Sequence, residues 1–215
     1  MVPTHPVSLS FQNLTIWASP SKLLPWARPP PKKMILKGIT GSFVSGTSTA
    51  ILGPSGSGKT TLLNYLTDRM RNSKLHINGS LKVNNIAMPS IDEIKHRFAY
   101  VMQDDVLYES QTVYNHIYSA AMLSGVQNSK NATDLMIEQL GLQSCKNTRI
   151  GGEFFRGISG GEKKRTAIAT EIIRNPSVVF LDEPTTGLDS KSALDVAAIL
   201  KMMAQNGRTL ISTIH

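Results

Sequence analysis

Eight consecutive residues, Gly53-Pro54-Ser55-Gly56-Ser57-Gly58-Lys59-Thr60, fit the pattern G-x-x-x-x-G-K-[ST] in full. Glycines let a backbone wrap closely around an anion, with successive N–H groups pointing inward. A helix opening at Lys59-Thr60-Thr61 adds the favourable partial charge of its N-terminus. In that arrangement Lys59 reaches the β- and γ-phosphates of a nucleoside triphosphate, and the Thr60 hydroxyl holds Mg²⁺. Gly53 to Thr60, with Thr61 beside them, are therefore the expected phosphate contacts.

Two further segments carry chemistry. The apolar run Val178-Val179-Phe180-Leu181 ends in Asp182-Glu183. At the carboxyl edge of a parallel sheet such an acid lies near the ligand crevice. Asp182 is the expected Mg²⁺ partner, through water, and Glu183 is placed to orient or deprotonate an attacking water. Alone, an Asp-Glu pair after a strand would read as a solvent-facing cap; downstream of a phosphate loop it reads as catalytic. Upstream of it, Ser159-Gly160-Gly161-Glu162 precedes a helical run. A hydroxyl and glycine N–H groups at a helix start make a second phosphate-binding surface. Since residues 53–60 already surround the phosphates in their own chain, this surface is best used on the nucleotide of another subunit. The same residues also form the local capping pattern Ser-x-x-Glu, which can coexist with that role.

The elements that must position these residues alternate. Val7 to Ala18 and Ile35 to Val44 are strand-like, and Thr47 to Leu52 is a short strand feeding the phosphate loop. Residues 19–33, with five prolines, read as a loop. Thr60 to Arg71 carries a helical stripe of Leu62, Leu63 and Leu66. Asn78-Gly79, between short apolar stretches, predicts a hairpin turn. Phe98 to Met102 is a strand, residues 112–142 and 160–174 are helical, and Ser177 to Leu181 is a buried strand. Ser190 to Gln205 is a helix and Thr209 to Ile214 a strand. This order predicts an α/β protein: a RecA-like P-loop core with a parallel sheet, an N-terminal antiparallel β arm and an inserted helical subdomain. The chain, residues 1–215, then reads as one domain. Residues 7–105 form the β arm and phosphate-loop core, 106–170 the helical insertion, and 171–215 the remainder of the core.

A length of 215 residues and 40% hydrophobic content support one packed α/β domain. The net charge is +8, and residues 1–50 hold Lys22, Arg28, Lys32, Lys33 and Lys37 with no acid. That basic arm suits an anionic partner such as a lipid leaflet or nucleic acid, or is a solvated surface. The single cysteine, Cys145, excludes an intrachain disulfide. No run approaches the ~18 apolar residues of a membrane span. The final strand stops on His215, which suggests a fragment whose remainder lies beyond it.

With these residues in view, the chain resembles the nucleotide-binding domain of an ATP-binding cassette (ABC) transporter over residues 7–215. Gln103, in Val101-Met102-Gln103-Asp104, resembles the Q-loop glutamine, which the resemblance places on Mg²⁺ and water. Ser159 to Glu162 resemble the signature motif. Asp182 and Glu183 resemble the Walker B aspartate and the catalytic glutamate. Gly187-Leu188-Asp189 resembles the D-loop, which crosses a dimer interface. His215 resembles the switch histidine that contacts the γ-phosphate. The resemblance also implies an aromatic residue stacked on adenine, for which Trp17 is the best-placed candidate and Trp26 the next; either could instead be packing. Ile35-Leu36-Lys37-Gly38-Ile39-Thr40-Gly41, Arg156-Gly157-Ile158-Ser159-Gly160-Gly161-Glu162-Lys163-Lys164-Arg165 and Asp182-Glu183-Pro184-Thr185-Thr186-Gly187-Leu188-Asp189-Ser190 are similar to the White (G) subfamily. That likeness implies an ATPase on the cytoplasmic face of a membrane. It would use ATP and Mg²⁺, pair with a second half-transporter subunit and precede a transmembrane domain. It would export a lipid, sterol, pigment precursor or xenobiotic, with no nucleic-acid partner expected. The residues leave open a non-transport ABC-type ATPase associated with nucleic acid or translation.

Overall fold

A computed structural model describes residues 5–18, 32–70, 75–87, 94–152 and 155–214. The expected loop at 19–33, with Trp26, and the terminal His215 lie essentially outside them. Strands β1 (Leu9–Ala18), β2 (Lys33–Phe43), β3 (Ser48–Leu52), β4 (Leu75–Val83), β5 (Ile86–Ala87), β6 (Phe98–Val101), β7 (Val178–Leu181) and β8 (Thr209–Ile214) form two sheets. The antiparallel sheet has the order β2-β1-β4-β5, and the parallel sheet has the order β3-β8-β7-β6. Helices α1 (Lys59–Leu66), α2 (Val113–Leu123), α3 (Ser129–Gln139), α4 (Gly160–Ile172) and α5 (Ser190–Gln205) complete the described elements.

The central parallel strand explains the layering. Successive side chains on a strand point to opposite faces, and all four residues of β7 are buried. Val178 and Phe180 join a core with Leu14 and Ile16 of β1 and Leu63 and Leu66 of α1. Val179 and Leu181 join a second core with Ile117 of α2, Ile137 of α3, Ile168 of α4 and Met203 of α5. The parallel sheet is thus covered on both faces, which is why β7 reads as a continuous apolar run rather than an alternating one.

The hairpin expected at Asn78-Gly79 is not a turn. Strand β4 runs straight through both residues and pairs with β1. Opposite them β1 bulges: the register slips between Gln12 and Thr15, and Asn13 is left-handed at φ 50°. Gly79 is needed for close approach, because a Cβ there would lie 2.8 Å from the Leu14 Cα and its φ is +131°. The actual turn is Asn84-Asn85, at φ 48° and 65°, which leads into β5. Two successive left-handed residues suit a tight hairpin turn, and asparagine tolerates that conformation. The first helix is also shorter than expected: α1 ends at Leu66 and is followed by left-handed Asp68, φ 55°, a common way to stop a helix.

Helices α2 and α3 lie between β6 and α4 in the chain and pack on each other. Thr112 caps α2, accepting from the Asn115 N–H at 3.2 Å. Within α2, His116 is buried, and its ring meets Tyr108 edge-on at a centroid distance of 5.6 Å. Neither ring nitrogen has a hydrogen-bond partner. Burial pushes the imidazole pKa below its ordinary value. Protonation therefore favours the unfolded chain. The stability that neutral His116 contributes is complete above the ordinary histidine pKa and is lost as pH falls from there through the depressed folded value. His116→Phe should flatten the acid limb of a plot of thermal-unfolding midpoint against pH between about pH 7 and 5. A variant whose acid limb matches the wild type would refute this.

Candidate active site

Strand β3 delivers the chain into the phosphate loop, and α1 carries it away. Gly56 and Gly58 are left-handed, at φ 76° and 96°. A Cβ on Gly58 would lie 2.8 Å from the Leu36 side chain and 3.4 Å from the Ile35 carbonyl, whereas Gly56 faces open space. Glycine is thus required at one position by packing and at the other by backbone conformation. Gly58 is also the N-cap of α1, with no side-chain oxygen on its first-turn N–H groups. In contrast, α2, α4 and α5 are capped by the side chains of Thr112, Ser159 and Asp189. A helix start left without such a cap is suited to an anion. Lys59 is buried, and its ammonium donates to the Gly53 and Pro54 carbonyls at 2.7 and 3.1 Å, bracing the loop from within.

A cleft of about 270 Å³ opens over this loop. Ser55, Gly56, Gly58, Lys59, Thr60 and Thr61 line one side, and Gln103 and Glu183 line another. The volume falls below the roughly 300–1,000 Å³ of pockets that enclose a whole small molecule.

Asp182 lies just past the end of β7, 4% exposed. Three hydroxyls converge on its carboxylate: Thr213 at 2.7 Å and Thr60 at 3.2 Å on Oδ1, and Tyr100 at 3.2 Å on Oδ2. A buried charge is tolerated when it is hydrogen-bonded in this way. Burial, then the Asp182 charge, pushes the Tyr100 phenol well above its ordinary pKa, so it remains a donor. Glu183 follows at φ 48°, an uncommon conformation for a non-glycine residue. Its N–H donates to the Thr213 hydroxyl at 2.9 Å, and its carboxylate accepts from Gln103 Nε2 at 2.9 Å and Thr186 Oγ1 at 3.2 Å. Strand register accounts for the shared partner: Leu181 pairs with Ser212 in parallel, so the next residues, Asp182 and Thr213, meet. Thr213 and Tyr100 were not expected as site residues. The only hint is a hydroxyl pair, Ser212-Thr213, near the carboxyl end of a buried strand.

Ser159 begins α4 with a full capping box. Its hydroxyl accepts from the Glu162 N–H at 3.3 Å, and the Glu162 carboxylate accepts from the Ser159 N–H and hydroxyl at 2.8 Å each. Burial tends to raise the Glu162 pKa, but hydrogen bonds from Ser159 and Cys145 and the nearby Arg165 leave it below its usual value. Gly160 lies beside Leu188, and a Cβ on Gly161 would come within 2.5 Å of Ser192 Oγ. The starts of α4 and α5 therefore pack directly together. None of Ser159, Gly160, Gly161 and Glu162 lines the cleft over the phosphate loop. Trp17 does not line it either: it is half-buried on β1, stacked with His76 at a centroid distance of 6.1 Å.

The phosphate loop, the acid pair and the separate Ser-Gly-Gly helix start coincide with a family match. Residues 36–186 match the model described as ABC transporter. The chain belongs to the ABC transporter family. The ABC domain binds ATP, and the family's ATPases drive transport. Among curated relatives, ABC transporter G family member 26 of Arabidopsis thaliana is 46% identical over 202 residues, covering 91% of this chain and 29% of that protein. ABC transporter G family member 22 of the same plant is 43% identical over 219 residues, covering 99% and 28%. ABC transporter G family member STR2 of Medicago truncatula is 42% identical over 212 residues, covering 96% and 29%. The chain thus spans under a third of the length of these relatives. No helix among its described residues is long and apolar enough to cross a membrane.

Thr213→Val would leave the buried Asp182 carboxylate and the Glu183 N–H each short of a partner at nearly unchanged volume. Chemical denaturation should show a loss of about 1–3 kcal/mol, and Thr213→Ser should restore most of it. Equal stability of the valine variant and the wild type would contradict the assigned hydrogen bonds.

Proposed function

We propose that this chain is the ATP-binding and ATP-hydrolysing domain of a membrane half-transporter. In this reading it works at the cytoplasmic face, paired with a second such subunit and joined to a transmembrane domain elsewhere in the full-length protein. The observation that carries the reading is the separation within one chain of the phosphate loop and the Ser159-Gly160-Gly161 helix start. The Lys59 loop has its own cleft, and Ser159-Gly160-Gly161 does not line it. Two copies closing head to tail would set one copy's Ser159 segment over the other's Lys59 loop. The small volume of the cleft suits half of a shared site. The relatives' length supports a membrane portion outside these residues, and their names favour transport over a non-transport ATPase. Export of a lipid, sterol, pigment precursor or xenobiotic is the corresponding substrate reading.

The residues fit Mg²⁺-dependent hydrolysis. Among the described residues no three His, Cys, Asp or Glu side chains converge to cage a metal. However, the Thr60 hydroxyl and the Asp182 carboxylate already meet at 3.2 Å beside the cleft. One hydroxyl and one carboxylate, completed by water and phosphate oxygens, suit this ion. Thr60, Asp182 and Gln103 would hold it, and bound there it would neutralise charge on the phosphates. The N–H groups of residues 53–61 and the Lys59 ammonium would bind the phosphate chain. Lys59 would exchange its two carbonyl partners for phosphate oxygens. Glu183 would take a proton from the attacking water, with Gln103 steadying its carboxylate. His215 is assigned to the γ-phosphate and Trp17 to adenine stacking on the family resemblance. No covalent intermediate is required, because positioning and electrostatics carry phosphoryl transfer to water.

Glu183→Gln in the full-length protein should bind ATP normally while turnover falls by about 10²–10⁴, measured as steady-state phosphate release. A near-normal rate would sink the assignment. In mixed dimers, Ser159→Arg in one subunit should disable the site completed by the partner's Lys59 and spare the other. Equal activity at both sites would contradict the shared arrangement.

A further inference from the structure

Lys164 is the third of four consecutive charged residues after the glycine pair on α4, and it is 3% exposed. Lysine is almost never buried to this degree unless paired. Its ammonium lies 2.7 Å from Asp105 Oδ1 and donates to the Gln103 and Met102 carbonyls at 2.9 and 3.3 Å. All three partners, two carbonyl acceptors and one ion-paired carboxylate, belong to the segment that follows β6. That segment also presents the Gln103 side chain, whose Nε2 donates to Glu183 at 2.9 Å. One side chain therefore ties the first turns of the helix capped by Ser159 to the backbone of Gln103. Its neighbour Arg165 instead faces α5, 3.7 Å from Asp195.

Stability alone is a poor reason for this arrangement. A buried ion pair is often no better than an apolar contact of similar volume, and α4 already packs through Ile168, Ala169 and Ile172. What a buried ammonium with three short contacts provides is a fixed spacing. If α4 moves relative to the segment after β6, a buried charge loses its partners.

We propose that Lys164 is a positioning residue that couples Ser159 to Gln103, so that the two move as one body. This rests on the shared-site reading given above. There, Gln103 faces the nucleotide held by its own chain and Ser159 the nucleotide held by the partner. Lys164 then links the two nucleotide sites through a single chain. Engagement of Ser159 on one nucleotide shifts Gln103, and through it Glu183, at the other.

The test uses the full-length protein with Lys164→Met, Lys164→Arg, Asp105→Asn and the Lys164→Met/Asp105→Asn pair. Binding of a fluorescent ATP analogue, kcat, KM and the thermal-unfolding midpoint are measured for each. Couplings between sites are typically about 5–150-fold. Lys164→Met should accordingly lower kcat about tenfold while the analogue's Kd stays within about twofold. Lys164→Arg should recover much of the loss, because its guanidinium can donate to the same acceptors. Asp105→Asn should lower kcat in the same sense, and the pair should be no worse than Lys164→Met alone, since partners in one network are not additive. A wild-type kcat in Lys164→Met overturns the proposal, as does a fall in kcat matched by equal losses of analogue binding and thermal stability. If Lys164→Met does not fold, a wild-type kcat in the partly exposed Asp105→Asn overturns it equally. A wild type with no ATPase activity, or a Glu183→Gln variant as fast as wild type, would instead remove the functional reading on which the link rests.

Discussion

The buried carboxylate of Asp182 is the interaction on which the rest of the site depends. It sits at the carboxyl edge of the parallel sheet, where water does not solvate it. Its charge is held by hydroxyls from three separate elements: Thr60 of α1, Tyr100 of β6 and Thr213 of β8. A buried anion of this kind is expensive unless every such contact is made. The first turn of α1 and two parallel strands are therefore locked in mutual position around one atom group. The same Thr213 hydroxyl accepts the Glu183 N–H, which stabilises a left-handed glutamate and directs its carboxylate toward Gln103.

Around that centre the chain is divided by the β7 layer. One face packs against the antiparallel arm and α1, the elements that shape the phosphate loop. The other packs against α2, α3, α4 and α5, which carry the Ser159 segment. The starts of α1 and α4 are thus supported by different cores. Polar groups also join the two sides: the Gln103–Glu183 contact and the Lys164 cluster behind it.

Helix capping distinguishes the start of α1 from those of α4 and α5. At α4 and α5 the local sequence satisfies the first-turn N–H groups with Ser159 and Asp189, which makes these helix starts stable before any partner arrives. At α1 the cap is left-handed Gly58, which offers no side-chain acceptor. Lys59 turns inward to the carbonyls of Gly53 and Pro54, so the loop holds its shape through its own cation.

Much of this was legible in the residue order because phosphate binding demands particular residue types at fixed spacing. Gly53 to Thr60 and Ser159 to Glu162 carry their geometry locally, in glycine conformations and a capping box. Strand β7 and helix α5 were equally readable, from a short continuous apolar run and a 3.6-residue stripe. Tertiary structure decided what depends on register and on partners distant in sequence. Asn78-Gly79 has the composition of a turn but serves as the close-approach point opposite the bulge in β1, because the backbone at Leu14 leaves no room for a Cβ. Thr213 and Tyr100 became site residues only when parallel pairing set them beside Asp182. Lys164, one of a run of charged residues, is buried because α4 packs on β6 and meets carbonyls that no local pattern announces.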